Sequence, residues 1–236
     1  MRRLAHAQEL LDGPLDDVAT LEGNLRDLAR VNRLLGGTSL TDRALEALAG
    51  EAADAGRTIA LLDVGTGGAD IPVALAQRWR RRGRRLEVVG VEDRAEVVHA
   101  AGRITPDLAR HHVRLVLADG RSLPWPDGTF DVAHCSLVLH HLDARGAVAM
   151  LREMARVSTR GIVVNDLARG WLPWIGARLL ARVATRNRYT RHDAPLSVRR
   201  AWTLKEARAM LAVAGLRPVA ESGGLLGHRW AIAARR

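Results

Sequence analysis

Residues 58–71 read T-I-A-L-L-D-V-G-T-G-G-A-D-I, and this stretch decides the fold. It opens with an apolar run, residues 59–62, whose length and branching are typical of a buried parallel strand. Asp63 ends the run, glycines follow at 65, 67 and 68, and an apolar helical pattern extends over residues 71–79. A strand, a glycine bend and a helix in this order let the backbone approach a nucleotide-like ligand and direct free helix N–H groups at it.

The glycine spacing separates two classes of nucleotide-binding bend. A dinucleotide-binding G-x-G-x-x-G would place its third glycine at position 70, where this chain has Asp70. A dehydrogenase is therefore the least favoured interpretation. An acidic residue at the strand end followed by G-x-G-G instead resembles the first motif of class I S-adenosylmethionine-dependent methyltransferases. The resemblance implies that the amino-acid part of the cofactor contacts Asp63, Gly65, Thr66, Gly67 and Gly68.

Composition and cysteine content limit the range of functions. With 236 residues, 47% of them hydrophobic, the chain suits one α/β domain with additions. The only cysteine, Cys135, excludes an internal disulfide and favours a cytoplasmic location. We find no signal peptide pattern and no apolar run that approaches the length of a membrane span. The sequence leaves monomer and homodimer open.

The formal net charge of +10 invites a nucleic-acid interpretation. However, Lys205 is the only lysine among the 36 basic residues, so the excess of arginine reflects the overall composition of the chain. Aromatic residues make up only 3%, which leaves few side chains on which bases could stack. We therefore expect a small-molecule acceptor and no nucleic acid as partner, and keep an RNA or DNA methyltransferase as the alternative.

The second apolar run, residues 86–91, predicts another buried strand that ends in Glu92 and Asp93. An acidic side chain at the tip of the strand that follows the glycine bend is placed to accept hydrogen bonds from both ribose hydroxyls. We assign this role to Glu92. Asp93 joins the predicted cofactor site, although capping of the helix that follows is the simpler interpretation.

The run A-D-G-R-S-L-P-W-P-D-G-T-F-D-V-A, residues 118–133, gives the resemblance its detail. It resembles the adenine-binding loop and fourth strand of small-molecule methyltransferases that include the ubiquinone and menaquinone biosynthesis enzymes. That match implies that Asp119 accepts from the adenine amino group and that the Gly120 N–H addresses a ring nitrogen. Ser136, at the end of the fourth strand, would lie beside the methionine part of the cofactor.

The resemblance implies a Rossmann-like, mostly parallel sheet of seven strands in the order 3-2-1-4-5-7-6, with helices on both faces. We divide the chain into a helical segment, residues 1–57, and a methyltransferase domain, residues 58–236. The first segment is either a helix packed on the domain or a lid over the cofactor. Residues 167–202 are an insertion after strand five, either a helical cap over the acceptor pocket or a membrane-surface helix.

Methyl transfer to an oxygen or carbon acceptor is faster when a base removes a proton. The candidates are His140 and His141, which follow strand four, Asp166 at the end of strand five, and His192 in the insertion. No His, Cys, Asp or Glu cluster has metal-ligand spacing, so we predict no metal. The predicted function is methylation, most simply O-methylation, of a phenol, quinone or polyketide of specialised metabolism. C- or N-methylation, and cofactor binding without turnover, stay open.

Overall fold

The computed structural model describes residues 1–236 as seven strands and eight α-helices with short 3₁₀ turns. The strands lie in one sheet in the order β3-β2-β1-β4-β5-β7-β6, which confirms the predicted fold. Strands β1 to β5 are parallel, and β7 pairs antiparallel with both β5 and β6. The strands are β1 Ile59–Val64, β2 Leu86–Glu92, β3 Val113–Leu117, β4 Phe130–Ser136, β5 Ser158–Leu167, β6 Arg217–Gly223 and β7 Arg229–Arg235.

Helices cover both faces of the sheet, as predicted. One face packs against the fifth and eighth helices, and the other packs against the second and third. In both layers the sheet contributes buried aliphatic side chains, which explains why the strands read as continuous apolar runs. The helices are α1 Val18–Leu34, α2 Gly37–Asp54, α3 Asp70–Arg81, α4 Ala95–Ile104, α5 Ala144–Val157, α6 Trp171–Ala184, α7 Arg188–Arg200 and α8 Leu204–Val213.

Strand β1 lies at the centre of the sheet and determines where a ligand can bind. It pairs with β2 on one side and β4 on the other, so that Asp63 lies opposite Gly90 and His134. From β1 the chain builds the sheet outward through β2 and β3. It then crosses back and adds β4 on the other side of β1. Ligands of open α/β sheets bind at such a switch point, at the carboxyl ends of the strands.

The N-terminal segment divides into two helices with different surroundings. Helix α2 packs on the face of the sheet through buried residues such as Leu45 and Leu48, and belongs to the core. Helix α1 instead packs beside α3, α4 and α7 at the carboxyl edge of the strands. Within residues 1–57, α1 is therefore the helix that has the position of a lid.

The insertion at residues 167–202 forms α6 and α7. Helix α7 packs against α1, with Tyr189 buried beside Leu21 and Leu25. Helix α6 packs against α7 and buries only Ala181. No helix combines the length and the apolar character that crossing a bilayer requires.

Candidate active site

A cavity of about 530 Å³ opens at the carboxyl ends of β1, β2 and β4. Eleven of the residues predicted from the sequence line it, whereas His140, Asp166 and His192 do not. Helix α1 supplies one wall, and no residue of 167–202 lines it. The predicted residues that line the cavity are Asp63, Gly65, Thr66, Gly67, Gly68, Glu92, Asp93, Asp119, Gly120, Ser136 and His141.

The glycine bend needs glycine for two reasons, which are its left-handed backbone and the lack of space for a side chain at Gly65. Gly65 has φ +69°, and a Cβ there would lie 2.3 Å from Cγ2 of Val138. Gly67 also has a left-handed backbone, with φ +55°. The N–H groups of Gly65 and Thr66 both donate to the Val91 carbonyl oxygen, at 2.8 and 3.0 Å, which fixes the bend against β2. The bend therefore exposes backbone to the cavity, as its sequence predicts.

Asp63 is 2% exposed, and its carboxylate already has protein partners. One oxygen accepts from the Thr66 hydroxyl at 2.7 Å, and the other lies 2.5 Å from Nδ1 of His134. The opposite ring nitrogen of His134 is 3.3 Å from the Thr41 hydroxyl on α2, which accepts from Asn165 at 2.8 Å. Sequence reasoning did not identify this buried chain of hydrogen bonds. It makes Asp63 the support of the bend, since satisfied buried networks fix geometry.

Glu92 reaches across from β2 to the glycine bend. Its Oε1 accepts from the Gly67 N–H at 2.6 Å. Burial raises the pKa of Glu92 to about 7, although the Gly67 hydrogen bond opposes this. Asp93, its neighbour, is exposed, and α4 begins after Arg94 without a side-chain cap. The capping role predicted for Asp93 is therefore wrong.

The loop after β3 supplies the far wall of the cavity. Asp119 accepts from the backbone N–H of Arg121 at 2.8 Å and from its guanidinium at 2.9 Å. The hydrogen bonds from Arg121 lower the pKa of Asp119, which stays ionised. A Cβ at Gly120 would lie 2.4 Å from Cγ1 of Val64, so glycine is needed for the close approach to β1. The Ser136 hydroxyl is buried and has no hydrogen-bond partner, although its residue lines the cavity.

The two histidines after β4 have different surroundings. His140 is 2% exposed, and its Nδ1 lies 2.7 Å from Asp166 Oδ1, while its backbone N–H donates to the other oxygen. Burial acts to raise the pKa of Asp166, but the charge and hydrogen bond of His140 lower it below its ordinary value. His141 lines the cavity, and its Nδ1 lies 2.9 Å from Oδ1 of Asp12. His192 is half exposed beside Asp193, away from the cavity.

Two acidic residues near the amino terminus, Glu9 and Asp12, lie beside these histidines. Sequence reasoning did not identify them. Burial acts to raise the pKa of Asp12, but the hydrogen bonds of His141 and Arg200 lower it well below its usual range. Glu9 is 4% exposed, and its carboxylate oxygens each lie 3.9 Å from Nε2 of one of the two histidines.

Glu9, His140 and His141 bring three ligand atoms within 4.8 Å of one another, which is a spacing that a metal could use. Arg200 Nη1 lies 3.2 Å from Glu9 Oε1 and also contacts Asp12. A guanidinium thus already neutralises this carboxylate, and a second cation would be repelled. We therefore assign the cluster to ion pairing and to the positioning of the histidines.

Helix α1 closes the cavity with Leu21, Leu25 and Leu28, and with the amide of Asn32. Asn32 donates to Asp70 Oδ2 at 3.1 Å and accepts from Arg229 Nη1 at 2.9 Å. Burial raises the pKa of Asp70 and lowers that of Arg229 to about 10. The hydrogen bond between Asn32 and Arg229 could not be predicted from the pattern of apolar residues, because 197 positions separate the two residues.

The strand order and a cavity at the carboxyl ends of the strands are the arrangement expected of a class I S-adenosylmethionine-dependent methyltransferase. Residues 61–161 match the protein family described as methyltransferase domain. This match covers less than half of the chain and agrees with the class that the glycine bend predicts.

Particular relatives agree with that assignment. Over 98 residues the chain is 33% identical to an uncharacterized methyltransferase, YcgJ, of Bacillus subtilis (strain 168); the match covers 41% of this chain and 35% of the relative's length. A SAM dependent methyltransferase from Aquifex aeolicus shares the fold with a TM-score of 0.59 at 18% identity, over 90% of this chain and 97% of that one. An O-methyltransferase family 2 protein from Planctomyces limnophilus, in complex with apigenin, has a TM-score of 0.66 at 18% identity, over 94% and 62%.

Proposed function

We propose that this protein transfers a methyl group from S-adenosylmethionine to a small, rather apolar acceptor such as a phenol, quinone or polyketide of specialised metabolism. The observation that carries the proposal is the cavity itself, which joins the glycine bend, Glu92 and Asp119 to His141. A structural neighbour crystallised with apigenin supports a small-molecule acceptor. Because the only cysteine is a buried free thiol, we place the activity in the cytoplasm.

The residues of the cavity fit this cofactor group by group. The backbone at Gly65–Gly67 accommodates the amino-acid part, Glu92 the ribose, and Asp119 with Gly120 the adenine. The Ser136 hydroxyl, buried without a partner, is free for a hydrogen bond to a ligand. When bound, the cofactor supplies a methyl group on a positively charged sulfur. The chain contributes alignment of the acceptor and exclusion of water, through the leucines of α1.

His141 is our candidate for the general base, in an O-methylation. Its Nδ1 is held by Asp12, and its Nε2 lies 3.9 Å from a carboxylate oxygen of Glu9 without a hydrogen bond, so that this nitrogen can still take the proton of an acceptor hydroxyl. With the cofactor bound, an acceptor oxygen that has lost its proton to His141 would be ready to receive the methyl group, and the proton would stay on the imidazole. The buried pair of His140 and Asp166 holds the turn that carries His141 and does not touch substrate.

The test is to incubate the protein with methyl-labelled cofactor and a panel of phenols, quinones, indoles and RNA. We expect label in a small apolar phenol or quinone. RNA belongs in the panel because of the net charge of +10, and label in RNA alone would contradict the proposal. Label on carbon or nitrogen would replace O-methylation but keep the small-molecule class. Cofactor binding in calorimetry without transfer to any acceptor would favour a binding protein.

A further inference from the structure

Helix α6 exposes its apolar side to solvent. Trp171 is 63% exposed, Leu172 73%, Leu179 60% and Val183 88%, whereas Ala181 is its only buried residue. A helix on a globular protein ordinarily turns its apolar stripe to the core. Here the side that packs on the protein is small, and the larger apolar side has no protein partner.

The exposed residues form one continuous surface. Trp171, Ile175, Leu179 and Val183 follow at four-residue steps and therefore lie in one row along the helix. Ala181, which packs toward α7, lies on the opposite side, so the row points away from the body of the protein.

The turn beside α6 extends this surface. Leu225 and Leu226 are 81% and 82% exposed, in the 3₁₀ turn between β6 and β7, which lies against α6. Leu226 has φ +57°, an unfavourable conformation for a leucine. We define the outer apolar surface by its members, which are Trp171, Leu172, Ile175, Leu179, Leu180, Val183, Leu225 and Leu226.

The charge around the outer apolar surface has one sign. Residues 167–192 contain six arginines and no acidic residue. Arg178, Arg182 and Arg186 are exposed and make no ion pair, and the Arg178 guanidinium lies 5.8 Å from the Trp174 ring centroid. Exposed apolar side chains bordered by unpaired arginines are complementary to a partner that has an apolar interior and anionic groups at its surface.

We propose that the outer apolar surface binds the interface of an anionic lipid bilayer, with α6 parallel to the membrane plane. Apolar side chains would enter the boundary between headgroups and acyl chains, and the arginines would contact lipid phosphates. No residue of α6 lines the cavity, so the surface is not needed as a wall of the site. A two-fold contact with a second copy would place the same arginines against each other without a nearby acid, which disfavours self-association.

The experiment is flotation of the 236-residue chain with vesicles of phosphatidylcholine, with or without phosphatidylglycerol. We expect binding only when the anionic lipid is present. L172Q/L179Q/V183Q should weaken the vesicle partition constant at least about tenfold, since three side chains no longer leave water. R178Q/R182Q/R186Q should weaken it on the order of a hundredfold, at roughly 1 kcal/mol for each arginine.

Matched controls exist on other faces of the protein. Val213 and Val219 are also exposed, and Arg80, Arg81 and Arg85 are exposed without an ion pair, so V213Q/V219Q and R80Q/R81Q/R85Q should retain most of the binding. Calorimetry with S-adenosylmethionine should give equal affinity for all variants, which separates this proposal from the proposed function. Flotation that L172Q/L179Q/V183Q leaves intact, or a dimer that this variant makes monomeric, would overturn the proposal.

Discussion

At the scale of single residues, Glu92, to which we assign the ribose, also affects protein stability. Its carboxyl accepts from Gly67 in a buried position, and its pKa is raised to about 7. A carboxyl whose pKa is higher in the folded than in the unfolded state contributes stability below its ordinary pKa. That contribution is lost as the pH rises through about 7, because ionisation then occurs more readily in the unfolded chain.

We expect Glu92→Gln to stabilise the ligand-free protein at pH 8 by on the order of 2 kcal/mol and to change little near pH 5. The amide can still accept from Gly67 but carries no charge to bury. The same change should weaken cofactor binding by roughly 10- to 100-fold, because hydrogen bonds to a charged acceptor are lost. Urea unfolding at both pH values and calorimetry measure the two effects, and Glu96→Gln on the exposed start of α4 is the control. Equal stability of E92Q and the native protein at pH 8 would contradict this account.

His141 is the second residue whose role can be isolated. We expect His141→Ala to lower the rate of methyl transfer by about 10²- to 10⁴-fold, the usual contribution of a general base, while cofactor affinity changes little. Asp12→Asn should have a smaller effect in the same direction, because the imidazole is retained and loses only the carboxylate that orients it. Single-turnover assays with the acceptor found in the panel measure both. His192→Ala, outside the cavity, is the control, and a similar loss in that variant would remove the role given to His141.

At the scale of elements, the glycine bend couples a strand, a helix and the turn after β4. Gly65→Ala would meet both a left-handed backbone and Val138 at 2.3 Å, whereas Gly56→Ala would meet only a left-handed backbone, with no atom within 4 Å. We expect G65A to cost more stability than G56A, by about 1–3 kcal/mol, since overpacking adds to backbone strain. G65A/V138A should recover part of the difference. Thermal and urea unfolding of the four proteins decide this, and equal losses in G65A and G56A would refute the steric argument.

One amide of α1, that of Asn32, bonds a buried guanidinium of β7. Arg229 is fully buried, and Asn32 is the only hydrogen-bond partner of its guanidinium, because the Nε and Nη2 atoms have none. We expect Asn32→Ala to destabilise the protein by about 2 kcal/mol, since it leaves a buried charge without a partner. N32A/R229M should be more stable than N32A, because the second change removes that charge. Arg33→Ala, on the exposed side of α1, is the control, and urea midpoints report all three.

At the scale of the whole molecule, the strand order and the position of the cavity could be predicted from sequence. The strand order was implied by the family resemblance, which rests on the glycine bend and on the loop around Asp119. The position of the cavity follows from the apolar runs that end in Asp63 and Glu92. The pairing of His141 with Asp12, across 129 positions, could not be predicted, because contacts between distant segments leave no periodic trace. The orientation of α6 could not be predicted either. An apolar stripe in a sequence is the same whether it faces the core or the solvent.

The single thiol reports on the cooperativity of the whole fold. Cys135 lies in β4, 1% exposed, and burial raises its pKa well above the ordinary value for a thiol. We expect a thiol-reactive dye to label the native protein only as fast as the sheet opens. Saturating S-adenosylmethionine should slow labelling by the factor 1 + [L]/Kd, because the ligand binds the closed form. Labelling as fast as that of a free thiol, unchanged by the cofactor, would show that β4 is not protected.

The location of that sulfur beside Ser136 has a practical consequence. A chromophore released on modification of Cys135 would register occupancy of the neighbouring cavity without any acceptor being known. Compounds could then be ranked by how strongly they suppress the colour change in the presence of cofactor. The buried sulfur of Cys135, which takes no part in the proposed chemistry, would thus serve as a probe with which the acceptor could be identified.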